Sequence, residues 1–489
     1  MTGSKEWSCT NLGDAERLVA RHGRDLRYVH PWRQWLKWDG KRWAKDEDGA
    51  IMRCAKDSAL TIYIEASEAE GATRREQLSK HAVRAESEKN LRAAIALAQS
   101  EPGIPVTVQA LDTNGMLLNV LNGTVDLETG RLEKHDRSHL ITKLAPVIWD
   151  EGATCPLFLG YLHRVLAGDA ELMAFLQKAI GYSLTGRTDE QVLFILHGRG
   201  ANGKSILLEI LKRLLGPEYS AQADFGTFLD GRRDGPRNDL AMFPGVRLVA
   251  ASEAEEGRRF NESIVKSVTG GDSIVARKLY ADLFEFSPVF KLWLAANTKP
   301  QIRSTGEAMW RRIRLVPFAV TIPEGERDPG LLEKLTGELP GILRWGVEGC
   351  LTWQRDGLGQ AAAVTAATSA YREESDVLAA FLEQQCVEVV GGRVSSQALF
   401  EGYVRWVQHN GERPMSQTAF GLRLVERGYI KIVSSGRKFW AGLTLVPGVD
   451  GAAGAGTTRT YGTSPHESVL EKVTESAGMT RTTSGAVAA

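Results

Sequence analysis

Residues 194–211 read FILHGRGANGKSILLEIL: an apolar run, a glycine-rich loop closing on Gly203-Lys204-Ser205, then apolar residues at helical spacing. Gly198 to Ser205 matches G-x-x-x-x-G-K-[ST], and the apparent strand before it and helix after it are the context that gives the match meaning. Gly198, Gly200 and Gly203 let backbone N–H groups curl around phosphates, with Asn202 inside the loop and Ile206 opening the helix behind it. Lys204 places a cation on the β and γ oxygens, and Ser205 offers a hydroxyl to Mg²⁺. Read alone, the loop specifies ATP or GTP as ligand and leaves the task open.

Working outward, Val192–Leu196, Val246–Ala250, Phe290–Ala295 and Ile313–Phe318 are four short, almost wholly apolar runs. That is the pattern of central strands in a mainly parallel sheet covered on both faces. Helical or mixed segments separate them, so an α/β core is expected. Ligands bind such sheets at the carboxyl ends of the strands. One run ends VRLVAASEAEEG, and a carboxylate there can orient a water toward a γ-phosphate and help hold the metal. Glu253 is the candidate, ahead of Glu255 and Glu256; the plainer reading is an acidic turn on a solvated face. KLWLAANTKP ends in Asn297, whose amide can hydrogen-bond both γ-phosphate and water, although Asn before Thr-Lys-Pro is also an ordinary turn signal. Arg311 and Arg312 precede the last run. They are either surface solvation or arginines that reach a neighbouring subunit's γ-phosphate, a contact worth ~10³–10⁵ in rate. The second reading requires an oligomer. Lys266, Arg277, Lys278 and Tyr280 flank a Gly-Gly-Asp turn and read as a loop gripping a single-stranded phosphate backbone, or as a charged exposed hairpin.

The bulk numbers bound what surrounds this core. At 489 residues the chain is long enough for roughly two to four domains. Lys plus Arg and Asp plus Glu are 60 each, so any nucleic-acid contact must come from a local patch. No apolar segment approaches the ~20 residues that span a bilayer, and MTGSKEWSCT lacks a signal-peptide pattern; a cytoplasmic protein with no membrane partner is expected. The five cysteines are dispersed, without C-x-x-C or zinc spacing, and read as buried thiols.

Residues 12–150 read as a mixed α/β domain after a flexible 1–11. Its opening sets Trp32, Trp35, Trp38 and Trp43 among Arg and Lys, which reads either as base-stacking aromatics or as a hairpin turning at Asp39-Gly40 that packs its tryptophans into a core. SEKNLRAAIALAQS reads as a helix, and LLNVLNGTVDLETGRLEKH as strands and hairpins. A helical lead-in is expected over 151–190, the ATPase core over 191–350 and a linker over 351–374. Helix, helix, then a hairpin over 375–447 is the layout of a winged helix, and 448–489 has a disordered composition.

Together these residues resemble a superfamily 3 helicase of the phage and plasmid primase-helicase family, a branch of the AAA+ ATPases. The likeness runs from GRGANGKS through AASEAEEG, KSVTGGDSIVARKLY and LAANTKP to MWRRIRLVPF, and upstream into RYVHPWRQWLKWDGKRW, LLNVLNGTVDLETG and LQKAIGYSLTGRTDEQ. The resemblance implies an AAA+ type core with Lys204 and Ser205 as the Walker A pair, Glu253 as the Walker B glutamate, Asn297 as sensor 1 and Arg312 as the arginine finger beside Arg311. Lys266, Arg277, Lys278 and Tyr280 would line the DNA channel of a hexamer. It implies ATP and Mg²⁺, single-stranded and forked DNA, and a separate primase or replication initiator as candidate partner, in a bacterial host's cytoplasm if phage-encoded. The family has an acidic pair where this chain has Ser252-Glu253, which shifts metal holding toward Ser205. The chain starts near the pre-helicase region, without the primase domain many members carry, and Asp46-Glu47-Asp48 is a poor substitute for a primase's metal-binding acids. The alternatives are an ATP-switched initiator without processive unwinding, a primase-helicase with a residual priming role, and a small-molecule P-loop kinase, which leaves the winged helix and paired arginines unexplained.

Overall fold

The structure, a computed structural model, describes residues 6–231, 238–252, 258–277, 282–302, 306–411 and 414–446. Glu253, Glu255, Glu256, Lys278, Tyr280 and the 448–489 tail lie outside the described residues. The chain forms two compact units, Met1–Asp376 and Val377–Ala489.

The first unit opens with α1 (Asn11–His22), a three-stranded antiparallel sheet of β1 (Leu26–Val29), β2 (Gln34–Trp38) and β3 (Trp43–Lys45), and helices α2 (Ala50–Glu68), α3 (Ala72–Ala85) and α4 (Glu88–Ala98). Thr10 caps α1 by accepting from the Gly13 N–H, and Arg74 donates to the Trp7 carbonyl at 2.7 Å, so residues expected to be flexible are tied down. Trp35, Trp38 and Trp43 are buried. Arg27 stacks on Trp43 at 4.5 Å and Arg137 on Trp38 at 5.2 Å, so the interleaved arginines serve the rings from within the fold. Trp32 alone of the four stays 43% exposed. The hairpin core is therefore the correct reading for three of these tryptophans. Strands β4 (Leu117–Val120), β5 (Gly123–Asp126) and β6 (Arg131–Glu133) follow as an antiparallel meander.

Helices α5 (Pro156–Val165) and α6 (Ala170–Leu184) lead into β7 (Leu193–His197) and α7 (Lys204–Tyr219), the latter kinked at Gly216. Then come β8 (Ser220–Asp224), β9 (Leu248–Ser252), α8 (Glu262–Gly270), the antiparallel hairpin β10 (Ile274–Arg277) and β11 (Leu283–Phe286), β12 (Lys291–Ala296), α9 (Glu307–Trp310) and β13 (Ile313–Pro317). Five of these strands form one parallel sheet in the order β13-β7-β12-β9-β8. Alternation along β7 explains its burial: Phe194 and Leu196 face one hydrophobic core, Leu193 and Ile195 the other. With both faces covered, the four apolar runs had to be apolar throughout. The fifth strand, SAQAD, pairs with β9 alone at the sheet's edge. An edge strand needs no such burial, and its polar sequence carried no strand signal.

Helices α10 (Leu331–Thr336), α11 (Leu339–Asp356) and α12 (Ala362–Glu374) complete the unit. The stretch expected as a linker is thus the end of α11 and all of α12. Helix α12 buries Val364 and Tyr371, and its Thr368 hydroxyl accepts from the Leu315 N–H of β13. Its apolar face is largely alanine, which gives little periodic signal.

The second unit contains α13 (Val377–Gln385), β14 (Cys386–Ser395), α14 (Ser396–His409), α15 (Gln417–Glu426), β15 (Lys431–Ser434) and β16 (Arg437–Leu445) around Phe381, Tyr403, Phe420 and Trp440. Ser395 and Ser416 cap α14 and α15. Strand β14, which the sequence did not announce, pairs with β16 so that the sheet runs β14-β16-β15. Among the described residues, no helix is long and apolar enough to cross a membrane.

Candidate nucleotide site

The glycine-rich loop joins β7 to α7 at the carboxyl edge of the sheet, between β12 and β13. Gly198 is required there: a Cβ would lie 2.2 Å from Asn202 Nδ2 and 2.3 Å from the Phe318 carbonyl. Gly203 takes φ +88°, with its would-be Cβ 2.9 Å from the Tyr161 ring, whose hydroxyl donates to the Gly203 carbonyl at 2.7 Å. The chain leaving β13 holds the loop from the other side. Phe318 N–H donates to the His197 carbonyl at 2.7 Å, Asn202 Nδ2 to Phe318 at 3.2 Å, and Ile322 N–H to Ala201 at 2.8 Å.

Lys204 is 5% exposed, and its ammonium donates to the Gly198 carbonyl at 2.7 Å, Asn202 Oδ1 at 2.9 Å and Asn297 Oδ1 at 3.0 Å. Burial pulls this group below the usual lysine range. Asn297 arrives because Ala296 pairs with His197 in the parallel register, so the next residue of β12 stands beside the loop. Ser252 pairs with Ala295, so β9 ends at the same edge, one strand further along. Ser205 is exposed on the first turn of α7, and Ile206 is half-buried. The Lys204 acceptors are neutral oxygens around a cation at a helix start, a set that phosphate oxygens could replace, and the exposed Ser205 beside it could offer a hydroxyl to a metal.

The paired arginines lie elsewhere. Ile313 pairs with Leu193, so Arg311 and Arg312 sit at the amino edge of the sheet, one strand length or roughly 15–20 Å from the chain's own loop. Arg312 is 8% exposed; its guanidinium donates to Thr269 Oγ1 at 3.1 Å and to the Ala308 carbonyl. Burial and neighbouring Arg311 lower its pKa. Arg311 is exposed and donates to Gln191 Oε1 at 2.9 Å. Lys266, on α8, is half-buried and 3.4 Å from Glu262. Arg277 is exposed at the end of β10, opposite Leu283.

Two further buried cations at the amino edge of the sheet, Arg247 and Lys291, escaped the sequence reading. Arg247 donates to the Leu184 and Leu117 carbonyls, both at 2.6 Å. Lys291 donates to the Thr185 carbonyl and, at 3.2 Å each, to those of Arg187 and Val289. The available signal was a basic residue at the head of an apolar run, in GVRLVAA and FKLWLAA.

A five-stranded parallel sheet with a glycine-rich phosphate loop on a central strand and an amide at the tip of the next defines an α/β P-loop core of AAA+ type. Family profiles place it further. "D5 N terminal like" matches residues 15–167, a family of unknown function matches 196–312, and "Poxvirus D5 protein-like" matches 373–432. "Putative helicase L207/L206" of Acanthamoeba polyphaga mimivirus is 28% identical over 63% of this chain and 34% of its own length. "Putative helicase 022R" of Frog virus 3 is 27% identical over 59% and 30%, and "Putative primase C962R" of African swine fever virus 26% over 42% and 22%. The chain thus spans a third or less of the length of these relatives, to within a percent. The apo A form of the NrS-1 C-terminal region aligns with TM-score 0.46 at 10% identity, covering 88% of this chain and 98% of that one. With D5-type profiles matching residues 15–167 and 373–432 and relatives named as putative helicases and a putative primase, the chain is similar to the D5-like primase-helicases of superfamily 3.

Proposed function

We propose that this chain is an ATP-driven DNA helicase of replication, working with Mg²⁺ as a ring, hexameric by family resemblance, that passes one strand through its centre. The observation that carries the reading is Lys204 and Asn297 meeting at 3.0 Å on the sheet edge where ligands bind. Lys204 would hold the β and γ oxygens, Asn297 would read the γ-phosphate, and Glu253 would polarise the attacking water. Bound Mg²⁺, with Ser205 and Glu253 beside it, would offset phosphate charge.

The arginine pair supports an oligomer. Neither residue can serve a loop a strand length away in its own subunit, so a γ-phosphate contact from this pair must cross to a neighbour. The resemblance favours Arg312 for it. Exposure favours Arg311, with Arg312 as its buried support, and that is our assignment. The β10–β11 hairpin, with Lys266, Arg277, Lys278 and Tyr280, would grip single-stranded DNA in the channel. The second unit would act as a winged-helix-like DNA-binding domain, and a separate primase or initiator is a candidate partner.

ATP turnover measured with and without single-stranded DNA, followed by unwinding of a fork, tests the reading. Stimulated turnover and strand displacement are expected. DNA binding and ATP-promoted assembly with negligible turnover and no displacement would instead establish the ATP-switched initiator.

A further inference from the structure

The loop that carries Asn297 also carries a lysine with no role in the site described above. Lys299 donates to Glu374 Oε2 at 2.7 Å and lies 5.6 Å from the centre of the Tyr371 ring. The Tyr371 hydroxyl donates to the Pro300 carbonyl. The Asn297–Pro300 loop is thus fastened to the last turns of α12. His197, the residue before Gly198, stands near both cations: burial first, then the charges of Lys299 and Lys204, keep its imidazole below the usual histidine range. Ala296 pairs with His197 and Asn297 accepts from Lys204 at 3.0 Å, so Lys299 stands two residues along the same loop from the Lys204 contact.

Its present partner is a weak one. The Glu374 side chain is 60% exposed against 18% for Lys299, and an ion pair with one member largely in water contributes little. A γ-phosphate in the sheltered loop would carry more charge at lower effective dielectric and compete well for the ammonium.

We propose that Lys299 is a second γ-phosphate ligand, held by Glu374 until a nucleoside triphosphate, and not a diphosphate, fills the loop beside Asn297. The exchange rests on the nucleotide reading above and would release the final turn of α12, the last helix of the first unit. Triphosphate recognition would then depend on a carboxylate that never touches the nucleotide.

The opposing signs of the two partners make the test. Affinities of the full chain for a non-hydrolysable ATP analogue and for ADP are measured with Mg²⁺, and their ratio is compared among variants. Lys299→Gln should reduce the preference for the triphosphate by roughly two- to tenfold, and Lys299→Arg should largely keep it. Glu374→Gln removes the competitor and should raise the preference by roughly two- to fivefold. In the Lys299→Gln background, Glu374→Gln should change nothing, because there is no ammonium left to free. An equal gain in both backgrounds would mean a general field effect and overturn the exchange. So would shifts of the same sign, or an unchanged ratio in a wild type that binds both nucleotides. A wild type that binds neither overturns the nucleotide reading itself, and this proposal with it.

Discussion

The two edges of the parallel sheet both bury cations, and they do so at opposite ends of helices. At the carboxyl edge Lys204 begins α7, where the helix dipole is positive and a second positive charge is unfavourable. At the amino edge Arg247 and Lys291 meet the end of α6, donating to the Leu184 and Thr185 carbonyls, which the helix leaves without partners of its own. There the dipole is negative and favours them. Lys291 has three carbonyl acceptors, the number an ammonium can satisfy; a neutral amine would leave one unmatched. One edge is frustrated until an anion arrives, and the other is complete without one. Two lysines buried at the two edges of one sheet thus meet helix ends of opposite sign.

The largest effect should come from the arginines at the complete edge, since in our reading they act on another subunit's frustrated one. Arg311→Ala is expected to lower steady-state ATP turnover by ~10³–10⁵ with nucleotide affinity retained. Mixing Arg311→Ala with Lys204→Ala subunits should restore part of it; confirmed mixed rings with no recovery would exclude contact across the boundary. Next, Lys204→Ala should cost ~10²–10³ in turnover and leave the thermal midpoint nearly unchanged, because relief of a buried positive charge at the positive end of α7 offsets the lost hydrogen bonds. A large fall in the midpoint would make Lys204 structural and erase the contrast between the edges.

Lys291→Met approaches the contrast from the other side. It fills the space but strips three carbonyls of their donor, which should destabilise the first unit by about 2–4 kcal/mol, read in chemical or thermal unfolding. Relief of the buried charge's desolvation opposes that loss. An unchanged or raised stability would show that desolvation wins and that Lys291 is retained for something other than the fold.

How much of this was legible in the sequence follows the same physics. Four strands of the sheet could be read because burial on both faces forced Leu193–Leu196 and its counterparts to be apolar throughout, whereas β8 at the edge was under no such demand. The loop was legible because its glycines stand at the fixed spacing of a phosphate-loop motif. Asn297 lies beside it, 3.0 Å from Lys204, because strand ends in a parallel sheet share an edge. The side on which Arg311 and Arg312 lie followed from their place before a strand. Which of the two faces outward did not, because that depends on Thr269 and Ala308, remote in sequence or on another element. Arg247 and Lys291 were missed for a related reason: a helix end that needs donors is a property of the assembled fold. The alanine-rich α12 buries only Val364 and Tyr371, too few large apolar residues for its periodicity to show.

The smallest expected effect bears on the assignment of Arg311 within the arginine pair. Thr269 Oγ1 accepts from Arg312 Nε at 3.1 Å and donates to the Val265 carbonyl at 2.6 Å. Thr269→Val keeps the shape and removes the hydroxyl, so Arg312 loses one acceptor and keeps the Ala308 carbonyl. The loss of stability should be about 1 kcal/mol. If Arg312 only supports Arg311, turnover should fall by less than about tenfold, since the exposed guanidinium loses no contact of its own. If Arg312 is the residue that crosses, the geometry holding it is part of the catalytic site, and turnover should fall toward the Arg311→Ala level or beyond. Measuring the two variants side by side therefore decides whether a buried arginine at the complete edge has to leave its carbonyl to act, or whether the exposed one acts from where it already stands.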